Sequence, residues 1–335
     1  MKGFFHKVPL YWGLAIVLFF VFLPFVNDSR SMLILLTQIF IFAIFAMSFD
    51  ILLGYTGIVS FGHCMFFGIG AYSTALIFNY LEPTLFNFIV GVVLGILLSA
   101  VVSYIIGLLS LRLKSHFYAM LTLAISQLFL VLAEKWRGLT HGGDGFTFSI
   151  PDVFKDRLSY YYITLISVTV IFILLQLFTG SSTGKVLKAI SQNEHRAEAL
   201  GYKTLHYKLI ASIAAGVVAS FSGALYAISL RFINTNVFSI EVTLDALLMT
   251  MIGGLGTLAG AIVGAGIIEF LRHFLSELAA THPIFERWTI ILGFLYIIVL
   301  LGFPKGIAGI VKKLTSKKRR KNKKKDRIEG MAKGV

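Results

Sequence analysis

The chain has 335 residues, 57% of them hydrophobic and only 14% charged, with a mean hydropathy of +0.85 and a net charge of +14. Soluble domains carry about 25% charged residues, so the composition excludes an ordinary water-soluble enzyme and points to an all-α polytopic membrane protein. A single cysteine, Cys64, excludes an internal disulfide and a cysteine-rich metal centre, and reads as a small packing residue.

Met1 to Lys7 followed by an apolar run has the outline of a leader peptide. The run at 8–27 is long enough to span, however, and it ends Pro24-Phe25-Val26-Asn27-Asp28-Ser29 without a small-x-small cleavage pattern. It reads as an uncleaved first span. Nine further apolar segments follow, at 32–53, 63–80, 85–111, 117–133, 159–179, 208–230, 241–257, 259–278 and 287–303. Each approaches the roughly 20 helical residues needed to cross a bilayer. About ten transmembrane helices are expected, because a backbone in lipid must satisfy its own hydrogen bonds. The 31 glycines are expected at close helix contacts, with the 31 phenylalanines filling lipid-facing volume.

Basic residues orient these spans. Lys2 and Lys7, then Arg112 and Lys114, then Lys185, Lys188, Arg196, Lys203 and Lys208 all fall on one side if the span count is even. That side is cytoplasmic by the positive-inside rule, and both termini lie there. The segment 134–158 mixes charges of both signs and is assigned to the outer side. Residues 1–311 form the transmembrane domain, with a cytoplasmic loop at 180–207. Residues 312–335 form a basic cytoplasmic tail without fixed structure. From Pro304 onward, thirteen Lys/Arg face only Asp326 and Glu329. A basic block just after a span meets anionic headgroups more naturally than nucleic acid.

Two glycine-rich segments have matching surroundings. Asp50-Ile51-Leu52-Leu53 precedes the first, Gly54 to Gly70, and Asp245-Ala246-Leu247-Leu248 precedes the second, Gly253 to Gly266. Gly57, Gly68 and Gly70 align with Gly253, Gly264 and Gly266. Glycine-interrupted apolar segments at corresponding places in two halves point to a transport site near mid-membrane. They suggest a two-half repeat of inverted sense. The backbone around Gly57, Ser60 and Gly62, and around Gly253, Gly254 and Gly256, can face a polar solute; close helix packing is the alternative. Asp50 and Asp245 either line that pathway, cap a broken helix, or sit at headgroup level. Glu269 lies three before Arg272 and four before His273, which favours a structural pair over a proton relay.

The cytoplasmic loop carries a short helix signal. Ser191 with Glu194 reads as a capping box, and Gly201 suits the left-handed position after a helix end. So short a helix is marginal alone in water. Its charged side, with Glu194, His195, Arg196 and Glu198, therefore suggests docking on a partner. The stretch Gly180-Ser181-Ser182-Thr183-Gly184-Lys185-Val186 is no nucleotide loop. It has one residue too few between its glycines, and Val follows the Lys where a Ser or Thr is required. The eight histidines are dispersed and suggest no metal site.

Five stretches together resemble the LivM-like permeases of bacterial branched-chain amino acid ABC importers. They are Gly54-Tyr55-Thr56-Gly57-Ile58-Val59-Ser60-Phe61-Gly62-His63, His141-Gly142-Gly143-Asp144-Gly145, Asn193 to Gly201, Ile252-Gly253-Gly254-Leu255-Gly256-Thr257-Leu258-Ala259-Gly260, and Gly302-Phe303-Pro304-Lys305-Gly306. The resemblance implies a non-enzymatic transport subunit in the bacterial inner membrane, working with a sister permease, two cytoplasmic ATPase subunits and a periplasmic or lipid-anchored binding protein. It implies that Glu194, His195, Arg196, Ala197, Glu198, Ala199 and Gly201 form the coupling helix. No cofactor is expected on this chain, ATP and magnesium being bound by the partner ATPase. The Ile-x-Leu-Pro element of the wider importer pattern is missing after Gly201. Urea or short amides remain an alternative cargo, and an ion-coupled secondary transporter is an alternative of a different class.

Overall fold

A computed structural model describes residues 10–26, 29–110 and 115–281, with isolated positions at 290, 293, 294 and 297. Apart from those isolated positions, the expected tenth span lies outside the described residues, as do the Gly302–Gly306 stretch, the inner-loop charges Arg112 and Lys114, and the basic tail. The main helices are α1 (Leu10–Val26), α2 (Arg30–Asp50), α3 (Cys64–Tyr80), α4 (Leu85–Ser110), α5 (Ser115–Lys135), α8 (Arg157–Gly180), α11 (Thr204–Leu230), α12 (Ile240–Gly253) and α13 (Leu258–Thr281). Short elements connect them: α6 (Arg137–Thr140), β1 (Phe146–Thr147), α7 (Asp152–Lys155), α9 (Ser182–Gln192), α10 (Glu194–Ala199) and β2 (Phe232–Ile233). Among the described residues, six helices are long and apolar enough to cross a membrane, and α3, at 17 residues, is a shorter apolar one.

The expected eighth span at 241–257 is corrected. Helix α12 has only 14 residues, carries Glu241 and Asp245, and stops at Gly253. Gly254 and Gly256 then adopt positive φ, 112° and 71°, which breaks the helix and reverses the chain into α13.

Helices α2 and α11 form the centre, and α4, α5 and α8 the perimeter. The perimeter logic is clearest in α4. Its buried positions Gly91, Gly95, Ser99, Ser103 and Gly107 recur every four residues, while Phe86, Ile89, Val93, Leu97 and Val101 are exposed. A stripe of small residues lets α4 approach α3 and α11 closely, and the large side chains remain for the lipid. A Cβ on Gly70 would come within 1.9 Å of the Ser220 carbonyl, and one on Gly223 within 1.9 Å of the Phe67 carbonyl. The α3–α11 contact thus depends on both glycines. Phenylalanine does not follow the expected lipid-facing role throughout. Phe40, Phe42, Phe45, Phe49, Phe66 and Phe67 are buried in the core of the bundle. Their rings pack on one another and on Tyr226 and His63, filling volume that glycine-rich partners leave open.

Helix α11, at 27 residues, is about 40 Å long at 1.5 Å per residue. It joins two dissimilar ends. At its start lie α9 and α10. At its finish, β2 pairs antiparallel with β1, Phe146 opposite Ile233 and Thr147 opposite Phe232. Gly145, at φ 66°, admits this pairing, because a Cβ there would lie 2.3 Å from the Ile233 carbonyl. The His141–Gly145 stretch is therefore the turn that brings the 140s loop onto the end of α11.

Helices α2 and α12 run in the same direction. Ser31, at the start of α2, bonds His273 in the later half of α13 (3.1 Å), whereas Asp50, at its end, bonds Gly256 between α12 and α13. Because α12 and α13 are antiparallel neighbours, α12 is parallel to α2. The expected inverted sense of the repeat is therefore corrected. An even number of crossings separates the two segments, so both glycine turns lie at the α9–α10 end.

Candidate functional site

The helical path of α2 continues past its last regular residue, Asp50. It widens into a six-residue π-helical turn, Ile51–Thr56, which Gly57 closes in the left-handed region at φ 74°. π-Turns recur at functional positions because they insert a residue into the helical ladder. Here the widening brings Gly54 against the other glycine turn. A Cβ on Gly54 would lie 2.1 Å from the Asp50 carboxylate and 2.2 Å from the Gly256 nitrogen. The Asp50 Oδ1 accepts from the Gly256 N–H at 2.8 Å, and its Oδ2 is buried without a hydrogen-bond partner among the described residues. Of the two glycine-rich segments, Gly54 and Gly256 meet in direct backbone contact.

The sequence-predicted pathway residues divide into two groups. Asp50 and Gly256 form this crossing, and Gly57 and Gly254 adopt the positive φ of the turns on either side of it. Gly62 and Gly253 instead admit close packing. A Cβ on Gly62 would meet the Thr122 carbonyl at 2.2 Å, and one on Gly253 the Gly260 carbonyl at 1.9 Å. Ser60 is buried and interacts with Tyr118. Asp245 is remote from the crossing. Its Oδ2 accepts from Arg272 Nη2 at 2.7 Å, and Arg272 Nη1 reaches Glu269 at 3.1 Å. The expected Glu269–Arg272 pair is present, whereas His273 lies against Glu277 (3.3 Å). The Asp245–Arg272 bridge spans 27 positions and has no local sequence signal.

The helix of the 180–207 loop differs from its expected form. Ser191 lies inside α9, and its hydroxyl donates to the Lys188 carbonyl at 3.0 Å. The N-cap of α10 is Asn193, whose Oδ1 accepts from the Arg196 N–H at 3.0 Å. The capping box is therefore not formed. Burial of Leu187 and Ile190 carries α9 through to Gln192, and Glu194 is drawn to Lys208 on α11 instead. Gly201 takes the left-handed position as expected (φ 88°), and its N–H donates to the Glu198 carbonyl at 2.8 Å. Glu198 accepts from the Thr204 hydroxyl at 2.8 Å, and Ala197 is buried. These ties hold a six-residue helix too short to persist alone. The outward side carries His195 (97% exposed), Arg196 and Ala199, and the apolar Leu200 stands 71% exposed beside them.

The loop and the crossing are contiguous. Helix α9 packs on the π-turn. Lys188 Nζ lies 5.8 Å from the Tyr55 ring centroid, and Ser191 abuts Gly57. A continuous chain of contacts therefore runs from α10 through α9 to the π-turn that carries Gly54. This junction could not be read from the sequence, since Lys188 and Tyr55 are unremarkable residues far apart in the chain. Among the described residues, no group of His, Cys, Asp and Glu is arranged to hold a metal ion.

The architecture is that of a helical membrane bundle with an exposed, braced helix linked to a broken-helix core. Comparison with known proteins supplies the family. The description "Branched-chain amino acid transport system / permease component" matches residues 31–301. The chain belongs to this permease family. Over 308 residues the permease is 23% identical to the high-affinity branched-chain amino acid transport system permease protein LivM of Salmonella typhimurium, a match covering 83% of this chain and 70% of that one. The protein of the same description from Escherichia coli matches to the same extent. A probable branched-chain amino acid transport permease protein LivM of Methanocaldococcus jannaschii is 23% identical over 264 residues, covering 67% of this chain and 75% of its own. No solved structure matches. The permease is thus a multi-pass membrane transport component.

Proposed function

We propose that this permease imports branched-chain amino acids as one subunit of an ATP-driven transporter. In this reading a sister permease completes the channel, two ATPase subunits bind Mg-ATP on the α9–α10 side, and a binding protein delivers solute to the β1–β2 side. The α9–α10 side is cytoplasmic and the membrane is the inner one. The observation that carries the reading is α10, a braced helix that presents His195, Arg196 and the apolar Leu200 outward. An exposed apolar side chain rimmed by charge has the composition of a docking knob. Closure of the ATPase pair would push α10, and α9 would pass the displacement to the π-turn and the glycine crossing. The permease itself makes and breaks no covalent bond.

The experiment is leucine uptake and ATPase co-purification with Leu200→Asp and Arg196→Glu, which alter exposed groups and leave the bracing contacts of α10 intact. Both variants are expected to accumulate normally, to lose the ATPase on purification and to lose uptake. Retention of both ATPase association and uptake would refute the coupling role. Uptake that survives deletion of the ATPase would favour an ion-coupled carrier, and uptake of urea but not leucine would reassign the cargo.

A further inference from the structure

Helices α2, α3, α11, α12 and α13 converge on a cavity of about 630 Å³ toward the β1–β2 end. Small-molecule sites commonly fall between roughly 300 and 1,000 Å³. One wall is aromatic. The rings of Phe42, Phe67 and Tyr226 stand with centroids 5.2 to 6.2 Å apart. The lining also carries Asp245 and Arg272, whose side chains are 19% and 29% exposed. Glu269, only 3% exposed, holds Arg272 from behind.

Ionisable groups at membrane depth are costly and normally face a wet cavity or pathway. This cluster faces one, and its charges do not cancel. Two carboxylates share one guanidinium, and Glu241 lines the same cavity, so carboxylates outnumber the cation. The two arms of Arg272 are held differently. Nη1 is bound to the enclosed Glu269, whereas Nη2 is bound to Asp245 at the cavity surface.

We propose that this cavity is a binding site for a free α-amino acid zwitterion with an apolar side chain, its charges held by Arg272 and Asp245 and its side chain by Phe42, Phe67 and Tyr226. The incoming carboxylate takes the Nη2 arm of Arg272, a donor suited to carboxylates. Asp245 is released from that arm and pairs with the ammonium, so each charge of the ligand meets an opposite one and the net charge of the site is unchanged. The aliphatic side chain lies against the aromatic wall. Glu269 is a positioning residue, because it fixes the guanidinium without facing the cavity. An apolar solute lacking either charge would leave Arg272 or Asp245 unmatched and bind more weakly.

The proposal rests on the transport reading above, and the test separates the two. Ser239 lines the cavity. A full-length Cys64→Ala, Ser239→Cys chain in membranes is labelled with a thiol-reactive polyethylene glycol, with leucine, leucinamide or isocaproate present, and leucine uptake is measured in the same cells. Leucine is expected to slow labelling, while leucinamide and isocaproate require about tenfold more or fail. Adding Arg272→Gln is expected to abolish protection. Because that change leaves Glu269 buried without its partner, the double change Glu269→Gln, Arg272→Gln is the companion variant, with the same expected loss. Uptake without protection by leucine, or equal protection by isocaproate or leucinamide, would overturn the site and leave the transport reading standing. Protection without uptake would retain the site and overturn the transport reading.

Discussion

The Asp50 carboxylate accepts a hydrogen bond from the Gly256 N–H at 2.8 Å, joining the end of α2 to a glycine turn 206 positions later. The contact closes only because residue 54 lacks a side chain. It places two helix breaks in one layer, directly beside the loop helices α9 and α10.

Gly54→Ala tests that closure. The new Cβ would meet the Asp50 carboxylate at 2.1 Å and the Gly256 backbone at 2.2 Å. Overpacking of this kind costs about 1–3 kcal/mol, and the backbone partner cannot move as a side chain can. Loss of uptake and a lower melting temperature in detergent are expected. Gly266→Ala is the contrast, because its Cβ would find only Ile39 at 3.8 Å, an ordinary contact. It should leave both measurements near their starting values.

The acceptor at position 50 matters more than its charge for holding the Gly256 turn. Asp50→Asn keeps an oxygen for the Gly256 N–H, whereas Asp50→Ala leaves that half-buried donor unmatched. An orphaned buried donor costs about 1–3 kcal/mol. Thermal unfolding in detergent should rank Asp50→Ala below Asp50→Asn, and the reverse order would show that the hydrogen bond is not what holds the crossing.

The cap of α10 is assigned to Asn193, and its neighbour Ser191 provides the control. Asn193→Ala removes the acceptor of the Arg196 N–H, at a cost of about 1 kcal/mol for a typical N-cap. Ser191→Ala removes only a bond back to Lys188. Amide hydrogen exchange over 193–200 should accelerate in the first variant by roughly fivefold, as about 1 kcal/mol implies, and remain unchanged in the second.

Asp156 sits ahead of α8 and accepts from the N–H (3.0 Å) and the hydroxyl (2.7 Å) of Ser159. These bonds hold its carboxyl below the usual carboxylate range. A depressed folded-state pKa stabilises fully above the unfolded value, about 3.9, and that stability is lost as pH falls through the lower folded value. Asp156→Ala should therefore lower the melting temperature slightly at pH 7. The difference from the unsubstituted chain should shrink below pH 4. A difference that stays constant with pH would show that the carboxylate is not the capping group.

The membrane class, most span positions, the glycine breaks and the charged loop helix were all legible in the sequence. Each is a local property. Hydropathy sums over a window of about 20 residues, and Gly57, Gly201, Gly254 and Gly256 mark backbone that other residues adopt poorly. The capping of α10 was misread for an equally local reason. Ser191 and Asn193 both fit an N-cap, and burial of Leu187 and Ile190 decided between them. What the sequence alone could not decide was which helix faces which. In spans that are apolar on every side, little polar–apolar alternation marks the inward face. Only the tertiary structure brought Asp50 to Gly256, set Asp245 on Arg272 in a cavity shared with Phe42, Phe67 and Tyr226, and made α2 parallel to α12. These contacts depend on close approach between small residues distant in the chain, and on the high cost of leaving a charge or a backbone donor unpaired away from water.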